Sequence, residues 1–189
     1  IDCYAVALGP GSFTGLRVGI ATIQGLALAH QKKVVGISVI DTLVHIGSRM
    51  SANTRAPEFL VPWVDGKRSE VFSAIYERNS PAKSSEVTWR MKIEPIAGTP
   101  ETVLERWSPY LKNHVSWFMG DGVPLYRSIL EARIPTRSKL IAGVPPLAGE
   151  MAIMASSRQW LRKAVGPHAL RPVYVRRPDA ELARSRRRN

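Results

Sequence analysis

Three glycines near the start of the chain come nearest to a phosphate-binding motif. They are Gly9, Gly11 and Gly15, in the stretch LGPGSFTGLRVGI. A Walker A loop needs the order G-x-x-x-x-G-K-[ST], and this stretch has neither that spacing nor a following lysine. The dinucleotide-binding pattern G-x-G-x-x-G is missed by one residue, because Thr14 stands where the third glycine belongs. Amides at a helix start can still hold an anion, so Gly11 and Ser12 remain candidate anion contacts.

Two aspartates at predicted turns are the other candidates for nucleotide or Mg²⁺ chemistry. Asp65 and Asp121 each precede a glycine, and aspartate is also a common turn former without any ligand. The four histidines show neither the H-E-x-x-H spacing nor any i,i+4 pair, which zinc peptidases use. Ser12 and Ser38 are placed as helix caps. The spacing therefore indicates no catalytic residue and no metal site.

The composition indicates an anionic partner. The chain has 189 residues, with 27 Lys+Arg against 15 Asp+Glu, a net charge of +12. A balance this basic favours RNA as a partner, although seven arginines lie between Arg171 and Arg188 and could form only a solvated tail. The single cysteine, Cys3, favours a reducing, cytoplasmic location. No apolar run reaches the ~18 residues of a membrane span.

The elements that must position these residues follow from the hydrophobic periodicity. The first part reads as strand, helix, strand, helix, with strands at 4–8 and 33–38 and helices from Phe13 to Ala29 and from a Ser38–Asp41 capping box to about Met50. This alternation predicts a parallel βαβ unit. The polar segment 51–57 is the predicted domain boundary.

The second part is predicted to begin with a β-hairpin. EFLVPWV and EVFSAIY flank DGKRS, which puts Asp65 and Gly66 in the turn. Further predicted elements are a strand at 86–94, a helix from Pro100 to Leu111, a strand in HVSWFMGDG, a short helix at 125–132, and a long helix at 145–164 with Leu147, Met151, Met154 and Leu161 on one face. The tail is predicted to begin extended and to end disordered.

The helix after the glycine loop is apolar on almost every side. Its predicted core face holds Leu16, Ile20, Ile23 and Ala27. A second stripe beside that face holds Gly15, Gly19, Thr22 and Leu26. A third stripe, roughly opposite the core face, holds Val18, Ala21, Gly25 and Ala29. Glycine costs a helix ~1 kcal/mol relative to alanine, so three within one helix suggest close approach of another backbone. Either the helix is buried in its own domain or another subunit covers it.

The chain resembles the TsaB family, also called YeaZ, over nearly its whole length. GPGSFTGLRVGIATIQGLA is similar to the family signature, and DGKRSEVF resembles the family hairpin D-A-R-R-G-E-V-Y, with departures at Gly66, Lys67, Ser69 and Phe72. GDG at 120–122 and PVYVRRPDAE near the end match further family patterns. Family members carry roughly 50–60 residues before the glycine motif, and these are expected to be missing here, which leaves the first lobe incomplete.

The resemblance implies an α/β, actin/Hsp70-like fold of two lobes. We assign residues 1–55 to the remainder of the first lobe, 56–166 to the second lobe and 167–189 to a C-terminal extended segment and basic tail. It implies a non-catalytic platform subunit that supports a TsaD-like catalytic subunit, with a TsaE-like ATPase, in threonylcarbamoylation of adenosine 37 of tRNA. The tRNA is contacted through the complex, and a homodimer is also possible. No cofactor is expected, save ATP at a subunit contact. The alternatives are an ATPase-like enzyme of this fold and a glycoprotease.

The predicted partner surface lies on the helix that carries the glycine pattern. Its residues are Gly15, Arg17, Val18, Gly19, Thr22, Gly25 and Leu26. The possible nucleotide contacts are Gly11, Ser12, Asp65 and Asp121. Arg184, Arg186, Arg187 and Arg188 are predicted to form a mobile basic tail that either is only solvated or helps to gather tRNA phosphates.

Overall fold

The structure, a computed structural model, describes residues 1–51, 56–79 and 88–176. The predicted disordered tail and the basic residues Arg184 to Arg188 lie outside these ranges, as does most of the predicted boundary segment 51–57. Within the described residues, no helix has the length and apolarity to cross a membrane.

Two parallel strands form the first sheet. Strand β1 (Cys3–Gly9) pairs with β2 (Lys33–Ser38), and helix α1 (Phe13–Ala29) connects them, so the predicted βαβ unit is confirmed. Alternate side chains point to opposite faces of a strand. Val34 therefore packs with Ile20 and Ala27 of α1, whereas Val35 and Ile37 pack on the other face.

Helix α2 (Val39–Ser51) begins where its Ser38 cap predicts. The Ser38 hydroxyl accepts hydrogen bonds from the amides of Ile40 and Asp41, at 3.1 and 3.4 Å. The Asp41 side chain, which the capping box would direct back to Ser38, instead accepts a hydrogen bond from the Tyr76 hydroxyl at 2.6 Å. Burial and that hydrogen bond raise the pKa of Tyr76 well above its usual range.

Five strands form the second, mixed sheet in the order β5-β4-β3-β6-β7. They are β3 (Phe59–Lys67), β4 (Glu70–Asn79), β5 (Thr88–Gly98), β6 (Ser116–Met119) and β7 (Lys139–Ile141). One face packs on α2. The other packs on α3 (Pro100–Leu111), α4 (Gly122–Leu125) and α5 (Arg127–Arg133), with Trp63 and Trp107 fully buried between.

The hairpin turn lies three residues later than predicted. Asp65 and Gly66 belong to β3, and the turn is at Arg68 and Ser69. Lys67, Arg68 and Ser69 all have positive φ, between 54° and 59°. The Asp-Gly pair predicted a tight turn. Instead, Asp65 pairs with Val71, which extends the β3–β4 ladder and moves the chain reversal to Arg68 and Ser69.

The long helix predicted at 145–164 is two shorter ones. Helix α6 (Leu147–Ser156) and α7 (Arg158–Leu161) are separated by Ser157, whose backbone is extended at φ −75° and ψ 148°. Met151 and Met154 are buried as predicted, but Leu161 is 44% exposed because the break turns it away. Helix α6 lies in the range assigned to the second lobe, 56–166, yet it packs on β1 and β2.

Candidate functional site

One face of α1 is open to solvent. The predicted core residues Ile20 and Ala27 are buried against Val6, Val34 and Leu170. On the other side, Val18 is 61% exposed and Leu26 is 42% exposed. Within the described residues, this helix is therefore covered on one side only.

Two of the three glycines of α1 face open space, and a Cβ on the third, Gly15, would lie 3.3 Å from the Ser12 hydroxyl oxygen. A Cβ built on Gly19 or Gly25 would meet no described atom within 4 Å. Gly15, Thr22, Gly25 and Leu26 are exposed, and Gly19 is half-exposed. Six of the seven residues predicted for the partner surface, all but Arg17, therefore form one apolar, small-residue face, which we call the α1 open face (Gly15, Val18, Gly19, Thr22, Gly25, Leu26).

Arg17 lies off this face, toward the end of the chain. Its guanidinium lies 3.9 Å from the centroid of the Phe13 ring. Its Nε donates a hydrogen bond to the Tyr174 hydroxyl at 3.0 Å. Phe13 and Tyr174 also contact each other, with ring centroids 5.4 Å apart. Arg17 is thus an anchor for the C-terminal segment, a role that its place in the helix did not indicate.

The segment 171–176 joins the two sheets, and we call it the C-terminal strap. Its Val173 amide donates to the Leu8 carbonyl of β1 at 2.8 Å. Its Arg176 donates to the Gly66 carbonyl at 3.0 Å and to the Glu70 carboxylate, beside the Phe72 ring. The sequence marked this segment only through its match to a family pattern, which carries no information on what it touches.

A cleft of about 600 Å³ opens between the two sheets. Its lining includes Gly11 and Ser12 at the start of α1, Asp65 to Arg68 at the hairpin, and Tyr174 and Arg176 of the strap. Three of the four predicted nucleotide contacts, Gly11, Ser12 and Asp65, therefore share one cavity. Asp121 is not in its lining but bonds to Asp65.

Both aspartates are engaged in holding the hairpin. The Asp65 amide donates to Asp121 Oδ1 at 2.9 Å, and the Asp65 carboxylate accepts from the Lys67 amide at 2.9 Å and from Lys67 Nζ at 2.6 Å. Burial alone would raise the pKa of Asp65, but the hydrogen bonds from Lys67 outweigh it and hold the pKa below its usual range. The Ser12 hydroxyl caps α1 by accepting from the Gly15 amide at 3.2 Å.

The described ranges contain no group of three or more histidine, cysteine or acidic side chains placed to hold a metal ion. Glu150 is buried, and its carboxylate accepts from Arg49 at 2.9 and 3.0 Å and contacts His45 Nδ1 at 2.7 Å. This cluster, which the sequence did not single out, ties α6 to α2.

A family model described as "TsaD: tRNA N6-adenosine threonylcarbamoyltransferase" matches residues 1–185. Among curated proteins, the chain is 33% identical over 177 residues to the tRNA threonylcarbamoyladenosine biosynthesis protein TsaB of Escherichia coli. That match covers 93% of this chain and 71% of the relative. The chain is 25% identical to TsaB of Bacillus subtilis, over 93% of this chain and 70% of the relative.

Solved structures agree with these matches. YeaZ from Pseudomonas aeruginosa superposes with a TM-score of 0.67 at 25% identity, covering 92% of this chain and 75% of that one. The structure titled "an uncharacterized protein with similarity to peptidase YEAZ from Pseudomonas aeruginosa" gives 0.65 at 26% identity, covering 93% and 74%. The predicted actin/Hsp70-like α/β fold is confirmed, and the chain belongs to the TsaB (YeaZ) family, carrying the domain that the TsaD family model describes.

Proposed function

We propose that this chain is a non-catalytic platform subunit in the biosynthesis of threonylcarbamoyladenosine in tRNA, and that its α1 open face binds a TsaD-like catalytic subunit. The relatives' names supply the pathway. The observation that carries the platform role is the open face itself, on which Val18 is 61% exposed and a Cβ added at Gly19 would meet no described atom within 4 Å. The position modified is adenosine 37, as the family resemblance implies.

A second subunit would stabilise this helix where its own domain does not. Removing exposed apolar surface from water contributes a favourable free energy of about 25 cal/mol per Å². Small residues on a helix allow a partner helix to approach closely, so that backbone and side chains pack over a long contact. Val18 and Leu26 would supply the apolar contact, and Gly19 and Gly25 the close approach.

The cleft supports a structural role better than a catalytic one. Asp65, which lines the cleft, binds the Lys67 ammonium, and Asp121 accepts a hydrogen bond from the Asp65 amide. ATP at this cleft is the second candidate, favoured by its volume and by Lys67, Arg68 and Arg176 in its lining. ATP hydrolysis by the purified chain that is lost in Asp65→Asn would favour that candidate over the platform role.

The proposed assembly has further members. A TsaE-like ATPase takes part in it, and tRNA reaches this chain through the complex. A homodimer would use the same α1 open face and would therefore compete with the TsaD-like subunit. We place the assembly in the cytoplasm.

Substitution of a glycine on the open face tests the proposal. Gly19→Leu adds a side chain into open space, so the fold is expected to tolerate it, while a partner backbone would be held apart. Gly149→Leu is the matched control, since Gly149 is an exposed helical glycine of α6 where an added Cβ would also meet no described atom within 4 Å. We expect Gly149→Leu to co-elute with the TsaD-like subunit in size-exclusion chromatography and Gly19→Leu to elute alone. Normal co-elution of a folded Gly19→Leu variant would refute the docking site.

A further inference from the structure

The positive charge of this protein is concentrated on the layer built around the first sheet. Residues 3–40 and 151–176 contain no aspartate or glutamate, and their basic residues are Arg17, Lys32, Lys33, Arg158, Arg162, Lys163, Arg171 and Arg176. The other described residues, which include the whole second sheet, hold twelve basic and twelve acidic side chains. The described part of the chain is therefore nearly neutral on one side and strongly basic on the other.

The fold brings these two acid-free segments together. The amides of Val34 and Val165 each donate to the other's carbonyl, at 2.9 and 3.0 Å, which places Lys33 beside the residues that follow α7. Gln24 of α1 donates to the Pro167 carbonyl at 2.8 Å. Trp160 packs with Val35 and Ile37 against β2 and so fixes α7 on the sheet.

Five exposed cations lie along this junction, and we call them the basic patch. They are Lys33, Arg158, Arg162, Lys163 and Arg171. None of them forms an ion pair with any residue in the described ranges. The guanidinium of Arg171 bonds only to the carbonyls of His168 and Leu170 there, at 2.6 and 2.8 Å, and Lys163 lies over the Trp160 ring at 4.1 Å.

Such a patch is unfavourable for the free chain, because like charges repel and no described carboxylate forms an ion pair with any of its five members. A dense polyanion removes that repulsion and releases its own condensed counterions on binding. Three of the five residues are arginines, whose planar guanidinium matches the oxygens of a phosphate. A guanidinium also fits a carboxylate, so it is counterion release that favours a phosphate backbone over isolated carboxylates.

We infer that the basic patch is an RNA-binding surface that contacts backbone phosphates of the tRNA, so that this subunit takes a direct part in holding the substrate. The inference rests on the proposed pathway for its choice of RNA but not on the docking of the TsaD-like subunit. The patch is distinct from the α1 open face, which has no charged member. Contacts with phosphates are blind to sequence, so recognition of particular tRNAs is left to other parts of the complex.

A salt titration of tRNA affinity tests this inference on the full chain. The probe is a fluorescently labelled, unmodified tRNA transcript, measured by anisotropy between low and moderate salt. The test variant is Arg158→Gln/Arg162→Gln/Lys163→Gln. Its matched control is Arg106→Gln/Lys112→Gln/Arg133→Gln, which removes three exposed cations from the second sheet's helices and leaves the same net charge. Each lost phosphate contact lowers the slope of log affinity against log salt by about 1.

We expect the test variant to bind tRNA more weakly at low salt, with a slope smaller by about 3, and the control to keep both values near those of the natural sequence. An unchanged slope in the test variant would overturn the inference, as would an equal loss in the control. Polyglutamate that displaces tRNA at equal charge concentration would overturn the choice of RNA in favour of an acidic protein. Co-elution of the test variant with the TsaD-like subunit separates this result from failure of the docking proposal.

Discussion

The guanidinium of Arg17, in the first turns of α1, donates a hydrogen bond to the hydroxyl of Tyr174 at 3.0 Å across 157 residues of chain. The same group lies on the Phe13 ring, which contacts the ring of Tyr174. Three side chains thus clamp the C-terminal strap onto α1, while Arg176 holds its other end on the β3–β4 hairpin. The strap is therefore the part of the described chain that ties the start of α1 to the second sheet.

Removing the Tyr174 contacts should loosen this connection in two steps. Tyr174→Phe loses only the hydrogen bond, so the free energy of unfolding should fall by about 1 kcal/mol. Tyr174→Ala also loses the ring contact and should cost about 2 kcal/mol, a modest value because the ring is 40% exposed. Urea unfolding measures both. Tyr110→Phe, on the exposed face of α3, is the control and should leave the free energy of unfolding unchanged. Equal stability of the natural sequence and all three variants would mean that the Tyr174 contacts of the strap do not stabilise the fold.

Gly120 should not tolerate any side chain. Its φ is +135°, and a Cβ there would lie 2.4 Å from the Trp63 carbonyl oxygen. The positive φ and the contact with the carbonyl both strain the backbone, and no side-chain movement can relieve that strain. Gly120→Ala should therefore lower the free energy of unfolding by about 3 kcal/mol or more. Gly143→Ala is the control, because a Cβ at Gly143 meets nothing within 4 Å. Thermal unfolding of the two variants should differ clearly, and matching transitions would contradict the close contact of Gly120 with β3.

The Glu150 carboxylate should make the free energy of unfolding fall as the pH is lowered. Burial would raise its pKa, but hydrogen bonds from Arg49 and His45 outweigh burial and lower it. A carboxylate with a lowered folded-state pKa contributes fully above its unfolded value, about 4.3, and loses that contribution as pH falls through the folded value. Glu150→Gln should therefore be less stable than the natural sequence at pH 7, by about 1–2 kcal/mol given that Arg49 is largely exposed, and the difference should shrink at pH 3.5.

The pH dependence of Glu150 has a matched control in Glu131→Gln. Glu131 forms an exposed i,i+4 pair with Arg127 at 2.9 Å. Such a pair contributes about 0.3–0.5 kcal/mol, so its loss should be small at every pH. Urea unfolding at pH 7, 5 and 3.5 compares the three proteins. A Glu150→Gln deficit that stays constant across this range would show that the cluster contributes through shape rather than charge.

The contribution of the Ser12 cap to the stability of the fold should be measurable by substitution of Ser12 alone. Ser12→Ala removes the oxygen that accepts from the Gly15 amide and should cost about 1 kcal/mol, whereas Ser12→Gly should cost only a few tenths. Thermal unfolding checks the order. Thr99, which caps α3 in the same way by accepting from Thr102, offers a second site where the same order is expected. A larger loss at Ser12 than at Thr99 would indicate that the hydroxyl also supports the cleft.

The sequence by itself determined the elements whose ends carry local signals. Helix α1 begins after Ser12 and ends at Ala29 as predicted, and α3 begins at Pro100 after its cap, because capping is decided within one helical turn. The parallel βαβ unit and the hairpin also followed from periodicity. The same periodicity identified Ile20 and Ala27 as core.

Only the tertiary structure decided which surfaces stay uncovered and which distant residues meet. The pattern of α1 fitted a buried helix and an interface helix equally well, and only the structure shows that the described residues leave the side of Gly19 open. The turn after Asp65, the break at Ser157 and the bond between Arg17 and Tyr174 depend on contacts far along the chain. Periodicity reports that a face is apolar; what covers it is set by long-range packing, which no local pattern encodes.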